Sequence, residues 1–196
     1  MAHYFTNETN LKSDIKKVNS IINDINFYFY TDNGVFSKGE LDFGTELLLK
    51  TFKYNCYPQE NKVLDIGCGC GPIGIYLSKL NFTVDMSDVN IRALNLTKKA
   101  VDEQILSANI IESDGYQNIN SKYNYILSNP PIKAGKKVLY DIVIGSKDYL
   151  ELDGELWIVI RKDKGADSLA RDMKEHFSKV EVIAKKKGFN IIKAIK

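Results

Sequence analysis

The sequence predicts an α/β fold: a mostly parallel, twisted sheet covered by helices on both faces, three layers in all, with an antiparallel edge strand from a C-terminal hairpin. Three observations predict it. Val63-Leu64-Asp65-Ile66 is a short buried-strand pattern that runs into the glycine cluster of residues 67–74 and then into a helical pattern, the strand–turn–helix unit of parallel sheets. After it, β-prone and helical stretches alternate to about residue 177, which is the signature of parallel strands joined by crossover helices. Last, stretches 180–184 and 190–195 are β-prone on either side of Lys185-Lys186-Lys187-Gly188, a hairpin.

Taken in order, stretch 1–24 is polar and weakly periodic, so residues 1–25 are expected to be an N-terminal extension with a short helix. Residues 26–196 are expected to form one domain that includes an N-terminal β-hairpin. Asn26-Phe27-Tyr28-Phe29-Tyr30-Thr31 is its first strand, Asp32-Asn33-Gly34 its turn, and Val35-Phe36 the restart. Phe27, Phe29 and Phe36 read as hairpin packing, with Phe36 also placed to line a substrate entrance beside Ser37-Lys38-Gly39. Leu47, Leu48 and Phe52 mark a helix over 41–54 that Asp42 or Thr45 can cap. Pro72 suits the first position of the next helix, and Ile73, Leu77 and Leu80 share one of its faces.

Strands follow at 82–88, 108–111, 123–128 and 155–160, and helices after Asn90, over 138–150 and over 168–177. Ligands of such sheets sit beyond the carboxyl ends of the strands, where Asp65, Asp88, Asp114 and Asn129 all fall.

Bulk properties narrow the classes. A chain of 196 residues with 44% hydrophobic and 27% charged residues is long enough for one domain with a sizeable core. No apolar run reaches membrane-spanning length, and the first dozen residues carry no secretory core, so no membrane partner is expected. Cys56, Cys68 and Cys70 make neither a disulfide framework nor, with His3 and His176 remote in sequence, a metal site; a reducing cytoplasm is expected. A net charge of +2 does not signal nucleic acid by itself, so any such role needs local clusters.

The glycine stretch has two readings. Gly69-Cys70-Gly71-Pro72-Ile73-Gly74 is a formal dinucleotide fingerprint. From Asp65 it is D-x-G-x-G-x-G, and an acid at the strand end suits a cationic cofactor better than a pyrophosphate. Asp88, about twenty residues on, can accept both hydroxyls of a ribose or serve as a helix cap; Asp85 is the rival carboxylate and points to the other face. Asp114 can take an adenine amine or simply make a turn with Gly115. In Asn129-Pro130-Pro131 the prolines offer carbonyls and no N–H, and each stiffens the residue before it. The loop is a set of fixed acceptors, suited to a substrate with an NH₂ group.

Asp65-Ile66-Gly67-Cys68-Gly69-Cys70-Gly71 together with Asn129-Pro130-Pro131-Ile132 resembles the Rossmann-like S-adenosylmethionine-dependent methyltransferases that act on amino groups. The stretch from Thr31 to Gly44 resembles the small-subunit ribosomal RNA guanine-N2 methyltransferases. The likeness runs from about Phe27 onward. It departs at Ile132, where relatives often carry an aromatic, and at residues 1–25, where a short extension is expected and relatives often carry an additional domain. The resemblance implies S-adenosyl-L-methionine held by Asp65, Gly67, Cys68, Gly69, Gly71, Asp88, Val89, Asp114, Gly115 and Asn129. It implies a catalytic loop of Asn129, Pro130, Pro131 and Ile132, and an RNA partner, ribosomal RNA, met by Phe36, Lys38, Lys133, Lys136 and Lys137. Transfer to a glutamine amide or to adenine N6, hydride transfer from a nicotinamide, and a non-catalytic RNA-binding factor are the alternatives that the sequence leaves open.

Overall fold

A computed structural model describes residues 12–36, 39–54 and 57–196. Strands β1 (Lys16–Ile22) and β2 (Ile25–Thr31) form an antiparallel hairpin. Then come α1 (Phe43–Thr51), β3 (Lys62–Ile66), α2 (Pro72–Lys79), β4 (Thr83–Asp88), α3 (Ile91–Glu103) and β5 (Ala108–Glu112). The second half holds β6 (Tyr123–Ser128), α4 (Lys136–Tyr149), β7 (Leu150–Arg161), α5 (Ala166–Met173), β8 (Lys179–Lys186) and β9 (Phe189–Ile195).

Strands β3 to β9 make one sheet in the order β5-β4-β3-β6-β7-β9-β8. The pairs from β5 to β7 are parallel, and β9 runs antiparallel to both β7 and β8. The expected C-terminal hairpin thus supplies the antiparallel end of the sheet. Its insertion also departs from the order 3-2-1-4-5-6 of dinucleotide-binding folds.

Period-two alternation sorts side chains between two cores. Val63, Tyr125, Leu127, Trp157 and Val159 face α1, α2, α3 and the hairpin. Leu64, Ile126, Leu156, Ile158 and Ile160 face α4 and α5. Both faces of the sheet are therefore buried, which explains the nearly continuous apolar runs of β6 and β7.

The hairpin differs from the expected one. Residues 16–22 are strand rather than helix, and the turn is Asn23-Asp24, whose φ values of 46° and 65° suit a tight two-residue connection. β1 was hard to read because only Val18 and Ile22 point inward, while Lys16, Lys17, Asn19 and Ile21 face solvent. Phe27 and Phe29 are core, and Phe27 packs against Tyr76 of α2 with ring centroids 5.7 Å apart. Gln104, just past α3, bonds both the N–H and the carbonyl of Tyr28, which clamps the hairpin to that helix. Asp32-Asn33-Gly34 turns, but Val35-Phe36 does not return as a strand. The chain instead crosses toward α1, tied by Asp32 to Ser13 Oγ (2.8 Å) and to Arg92 (3.3 Å).

Candidate functional site

A cavity of about 470 Å³ opens beyond the carboxyl ends of β3, β4, β6 and β7. Gly67, Cys68, Gly69, Cys70, Pro72 and Ile73 line it from the glycine loop and Asn129 to Lys133 from the Asn-Pro-Pro loop, and Phe36, Asp42, Thr45, Arg161, Lys164 and Phe189 also line it.

The glycine loop is shaped by its neighbours. Cys68 N–H donates to the Ser87 carbonyl at 2.9 Å, and the Thr97 hydroxyl donates to the Gly69 carbonyl at 3.0 Å. Gly71 has φ +79°, and a Cβ there would lie 2.6 Å from Thr97 Cγ2, so two independent constraints demand glycine. Gly71 thus makes the turn without itself lining the cavity. Gly74 sits under Met86, whose sulfur a Cβ would meet at 2.2 Å, and this lets α2 lie close on the sheet. Ser128 Oγ donates to the Ile66 carbonyl at 2.7 Å and fixes the end of β6 beside the end of β3. That bond and the parallel pairing of β3 with β6 hold the ends of the two strands, from which the Asn-Pro-Pro loop and the glycine loop continue, side by side.

Asp88 lines the cavity at the end of β4. Gly69 N–H and Asn90 N–H each donate to one of its carboxylate oxygens at 2.8 Å. Burial nonetheless raises its pKa above the ordinary carboxylate value, against the pull of those bonds. Asn90 is the cap of α3, accepting from Ala93 N–H at 3.1 Å. Asp85 is on the far face, as alternation requires, bound by Tyr123 Oη (2.7 Å), Asn109 Nδ2 (2.8 Å) and Lys62 Nζ (3.0 Å).

Asp65 lies behind the cavity wall rather than in it. It is fully buried; Oδ2 accepts from Gly74 N–H at 2.9 Å, while Oδ1 has no hydrogen-bond partner among the described residues. Desolvation, with a smaller push from the Asp88 charge, lifts its pKa to about 7. The folded state therefore holds a proton that the unfolded chain has already released. Stability is favoured at low pH, falls as pH rises from about 4 to about 7, and levels off above. Asp65→Asn should remove this slope. Urea midpoints of the ligand-free protein should show the variant gaining on the parent between pH 5 and pH 8, by on the order of a few kcal/mol. A gain that is the same at both pH values would show that Asp65 is ionised throughout.

Asn129 occupies the end of β6. Its Nδ2 donates to Asp42 Oδ2 at 3.0 Å and to Thr45 Oγ1 at 2.9 Å. Asp42 is at the same time the cap of α1, accepting from Thr45 N–H at 3.0 Å. In the loop that follows, the Pro131 carbonyl accepts from Ala134 N–H at 2.9 Å, which leaves the Pro130 carbonyl as the backbone acceptor of the Asn-Pro-Pro wall.

Other expected residues divide. Phe36 and Ile132 line the cavity, as does Lys133. Lys136 and Lys137 do not; both are exposed at the start of α4, with Lys136 Nζ 4.8 Å from the centre of the Tyr140 ring. Val89, Asp114 and Gly115 also stand off the cavity wall. Asp114 is exposed in its turn, while the buried Ser113 braces the loop by bonding the Gly115 carbonyl at 2.8 Å. Lys38 lies outside the described residues.

Arg161, Lys164 and Phe189 join the site without having been foreseen. Arg161 ends β7, so the rule that placed Asp88 and Asn129 at strand ends would have found it. Its guanidinium pairs with Asp163 through two bonds of 2.9 and 3.0 Å and lies 5.8 Å from the centre of the Phe189 ring. Phe189 in turn packs on Phe43 and over Gly44. Among the described residues no cluster of His, Cys, Asp or Glu is arranged to hold a metal, and no helix is long and apolar enough to cross a membrane.

Comparison with known proteins agrees with this geometry. Residues 26–193 match the family described as methyltransferase small domain. The uncharacterized protein YbxB of Bacillus subtilis (strain 168) is 42% identical over 200 residues, covering 99% of this chain and 98% of that protein. Ribosomal RNA small subunit methyltransferase C of Haemophilus influenzae (strain ATCC 51907 / DSM 11121 / KW20 / Rd) is 35% identical over 172 residues, or 85% of this chain; the match spans only 50% of the relative's own length. In fold, the chain is similar to a structure of the T. thermophilus 16S rRNA N2 G1207 methyltransferase (RsmC) in complex with AdoMet and guanosine. The TM-score is 0.84 at 21% identity, over 93% of this chain and 50% of that one. With 168 matched residues out of 196, on a sheet and glycine loop of the matching kind, the chain belongs to the methyltransferase small domain family.

Proposed function

We propose that this protein transfers a methyl group from S-adenosylmethionine to an exocyclic amine, and that the amine is N2 of a guanine in small-subunit ribosomal RNA. One observation carries the reading. The Asn129 amide nitrogen is fully engaged by Asp42 and Thr45, so Asn129 offers the cavity its carbonyl oxygen, next to a proline wall that has no N–H. Such a surface binds a donor of two N–H bonds and rejects a carboxylate or phosphate.

The residues present fit the methyl donor. The Asp88 carboxylate lines the cavity with lone pairs left for a ribose diol, while Asp65, behind the cavity wall, braces the glycine loop by accepting from Gly74 N–H. S-adenosylmethionine supplies an electrophilic methyl on a sulfonium. The protein's task is then the amine. The lone pair of an aryl amine is delocalised into its ring, so the nitrogen is a poor nucleophile. Two fixed acceptors, Asn129 Oδ1 and the Pro130 carbonyl, would hold its two N–H bonds and let the nitrogen become tetrahedral, with its lone pair turned out of conjugation toward the methyl; the proton released after transfer passes to solvent. The gain comes from orientation and electrostatics, with no strong base required. The target base must be unpaired or extruded to enter. Lys133, Arg161 and Lys164 line the cavity, and the phosphates flanking such a base would lie against them. Two free, buried thiols at Cys68 and Cys70 suit a reducing cytoplasm.

The test is to methylate an unmodified small-subunit ribosomal RNA transcript and the corresponding particle with labelled cofactor, digest, and identify the nucleoside by mass spectrometry. N2-methylguanosine is the expected product, and label in N6-methyladenosine or in protein would replace guanine by the base or amide found. The same assay across a salt series should show a shallower salt dependence of KM in a Lys133→Ala/Arg161→Ala/Lys164→Ala variant than in the parent. An unchanged slope would take phosphate contact away from these residues.

A further inference from the structure

The contacts that hold Asn129 reach across most of the chain. Asp42 is 87 residues away and Thr45 is 84. Asp42 can only accept, since an ionised carboxylate has no hydrogen to give. The side of the amide that faces α1 is therefore the NH₂ side, and the carbonyl side is turned the other way. One Asp42 oxygen, Oδ2, takes both the Asn129 bond and the capping bond from Thr45 N–H, so the first turn of α1 and the side chain of Asn129 are fixed by the same atom. That turn cannot easily shift. A Cβ on Gly44 would meet Asp42 Oδ2 at 2.9 Å and the Phe189 ring at 3.0 Å, so the segment is packed to the limit of what a glycine allows.

Without this bracket an asparagine can rotate its amide by half a turn at little cost, and then shows a cavity an N–H donor in place of an oxygen. The two orientations select different substrates. Oxygen outward matches an amine; nitrogen outward matches a carbonyl or an unprotonated ring nitrogen. We propose that Asp42 and Thr45 are positioning residues that set the specificity of the site: they hold Asn129 with its oxygen toward the substrate, so that the enzyme accepts an N–H₂ group and discriminates against acceptor-bearing edges of a base. The inference rests on the amine-transfer reading for its consequence, and on the hydrogen bonds alone for the locked orientation.

Thr45→Val is the informative change. It removes one of the two acceptors, keeps the side-chain volume, and leaves the backbone N–H that Asp42 caps. Two measurements separate the claims. In ¹⁵N-labelled protein the Asn129 side-chain amide, assigned by its loss in Asn129→Ala, should exchange slowly with solvent in the parent, quickly in Thr45→Val and slowly again in Thr45→Ser. With the unmodified ribosomal RNA transcript, Thr45→Val should lose about tenfold in kcat, the size of one hydrogen bond, with KM for RNA and Kd for S-adenosylmethionine near the parent values. Thr45→Ser should restore kcat. An Asn129 amide that exchanges quickly in the parent, or that is indifferent to Thr45→Val, overturns the lock. So does a Thr45→Val enzyme with unchanged kcat, or one whose kcat falls while KM and Kd both rise, without rescue by serine, since that is the pattern of a merely structural residue. If the amide behaves as expected and the parent leaves the transcript unmethylated, the lock stands and the ribosomal RNA reading falls.

Discussion

Replacing Asn129 by alanine should cut kcat by roughly a hundredfold to a thousandfold, the range seen when one aligned electrostatic contact to a transition state is lost. The effect should fall on the chemical step. In the proposed reaction the Asn129 oxygen would meet an amine whose N–H bonds become more acidic as the nitrogen takes on positive charge, so the contact would strengthen along the reaction. Cofactor affinity should change much less, because the glycine loop and Asp88 remain as they are. Single-turnover rates at saturating cofactor isolate the step. Asn129→Asp keeps oxygen acceptors but places a second carboxylate 3.0 Å from Asp42 in the position the Asn129 nitrogen holds. The variant keeps an oxygen toward the substrate but suffers repulsion from Asp42, so it should retain more activity than the alanine variant and less than the parent. An alanine variant that binds cofactor and RNA normally and transfers methyl at the parent rate would remove Asn129-Pro130-Pro131-Ile132 from the chemistry altogether and favour an RNA-binding factor.

How far such a site can be read from sequence differs from residue to residue. Strand ends were legible because buried strands such as β3 and β6 are short apolar runs with abrupt polar stops, and the site of a parallel sheet lies at those stops. Asp88 and Asn129, singled out on that rule, both line the cavity. Gly71 was legible as a required glycine, although its reason, the Thr97 methyl 2.6 Å from where a Cβ would go, comes from a helix twenty-six residues on. Asp65 was legible as part of the motif and misplaced in space. Its side chain alternates to the α2 side of β3, where it holds Gly74 rather than the cavity. The orientation of Asn129 was beyond the sequence. Asp42 and Thr45 read only as caps of α1, and nothing local says that the same carboxylate also reaches a strand end 87 residues later. β1 was missed for a related reason. Its strand character comes from pairing with β2 and from two inward residues, Val18 and Ile22, and not from a local apolar pattern.

Asp88→Ala should weaken S-adenosylmethionine binding about a hundredfold, the loss expected when two charge-assisted hydrogen bonds to a ribose disappear. The carboxylate is already oriented by Gly69 N–H and Asn90 N–H, one on each oxygen at 2.8 Å, so little ordering remains to be done on binding. The same two bonds couple the substitution to the loop: without them the Gly69 amide loses its partner, and part of the affinity loss will come from a looser glycine turn. Asp88→Asn distinguishes the contributions. It can accept from one of the two backbone N–H groups and must point its own NH₂ at the other, so it should bind worse than a simple loss of charge would give. Asp85→Asn is the control, because Asp85 serves Lys62, Tyr123 and Asn109 on the opposite face; it should lower thermal stability and leave cofactor affinity alone. Burial raises the Asp88 pKa, so lowering the pH until it takes up a proton should weaken cofactor binding in the parent and have no further effect in Asp88→Ala. Calorimetric titrations at two pH values read all four outcomes. Equal losses of affinity in the Asp85 and Asp88 variants would mean that the ribose is held elsewhere.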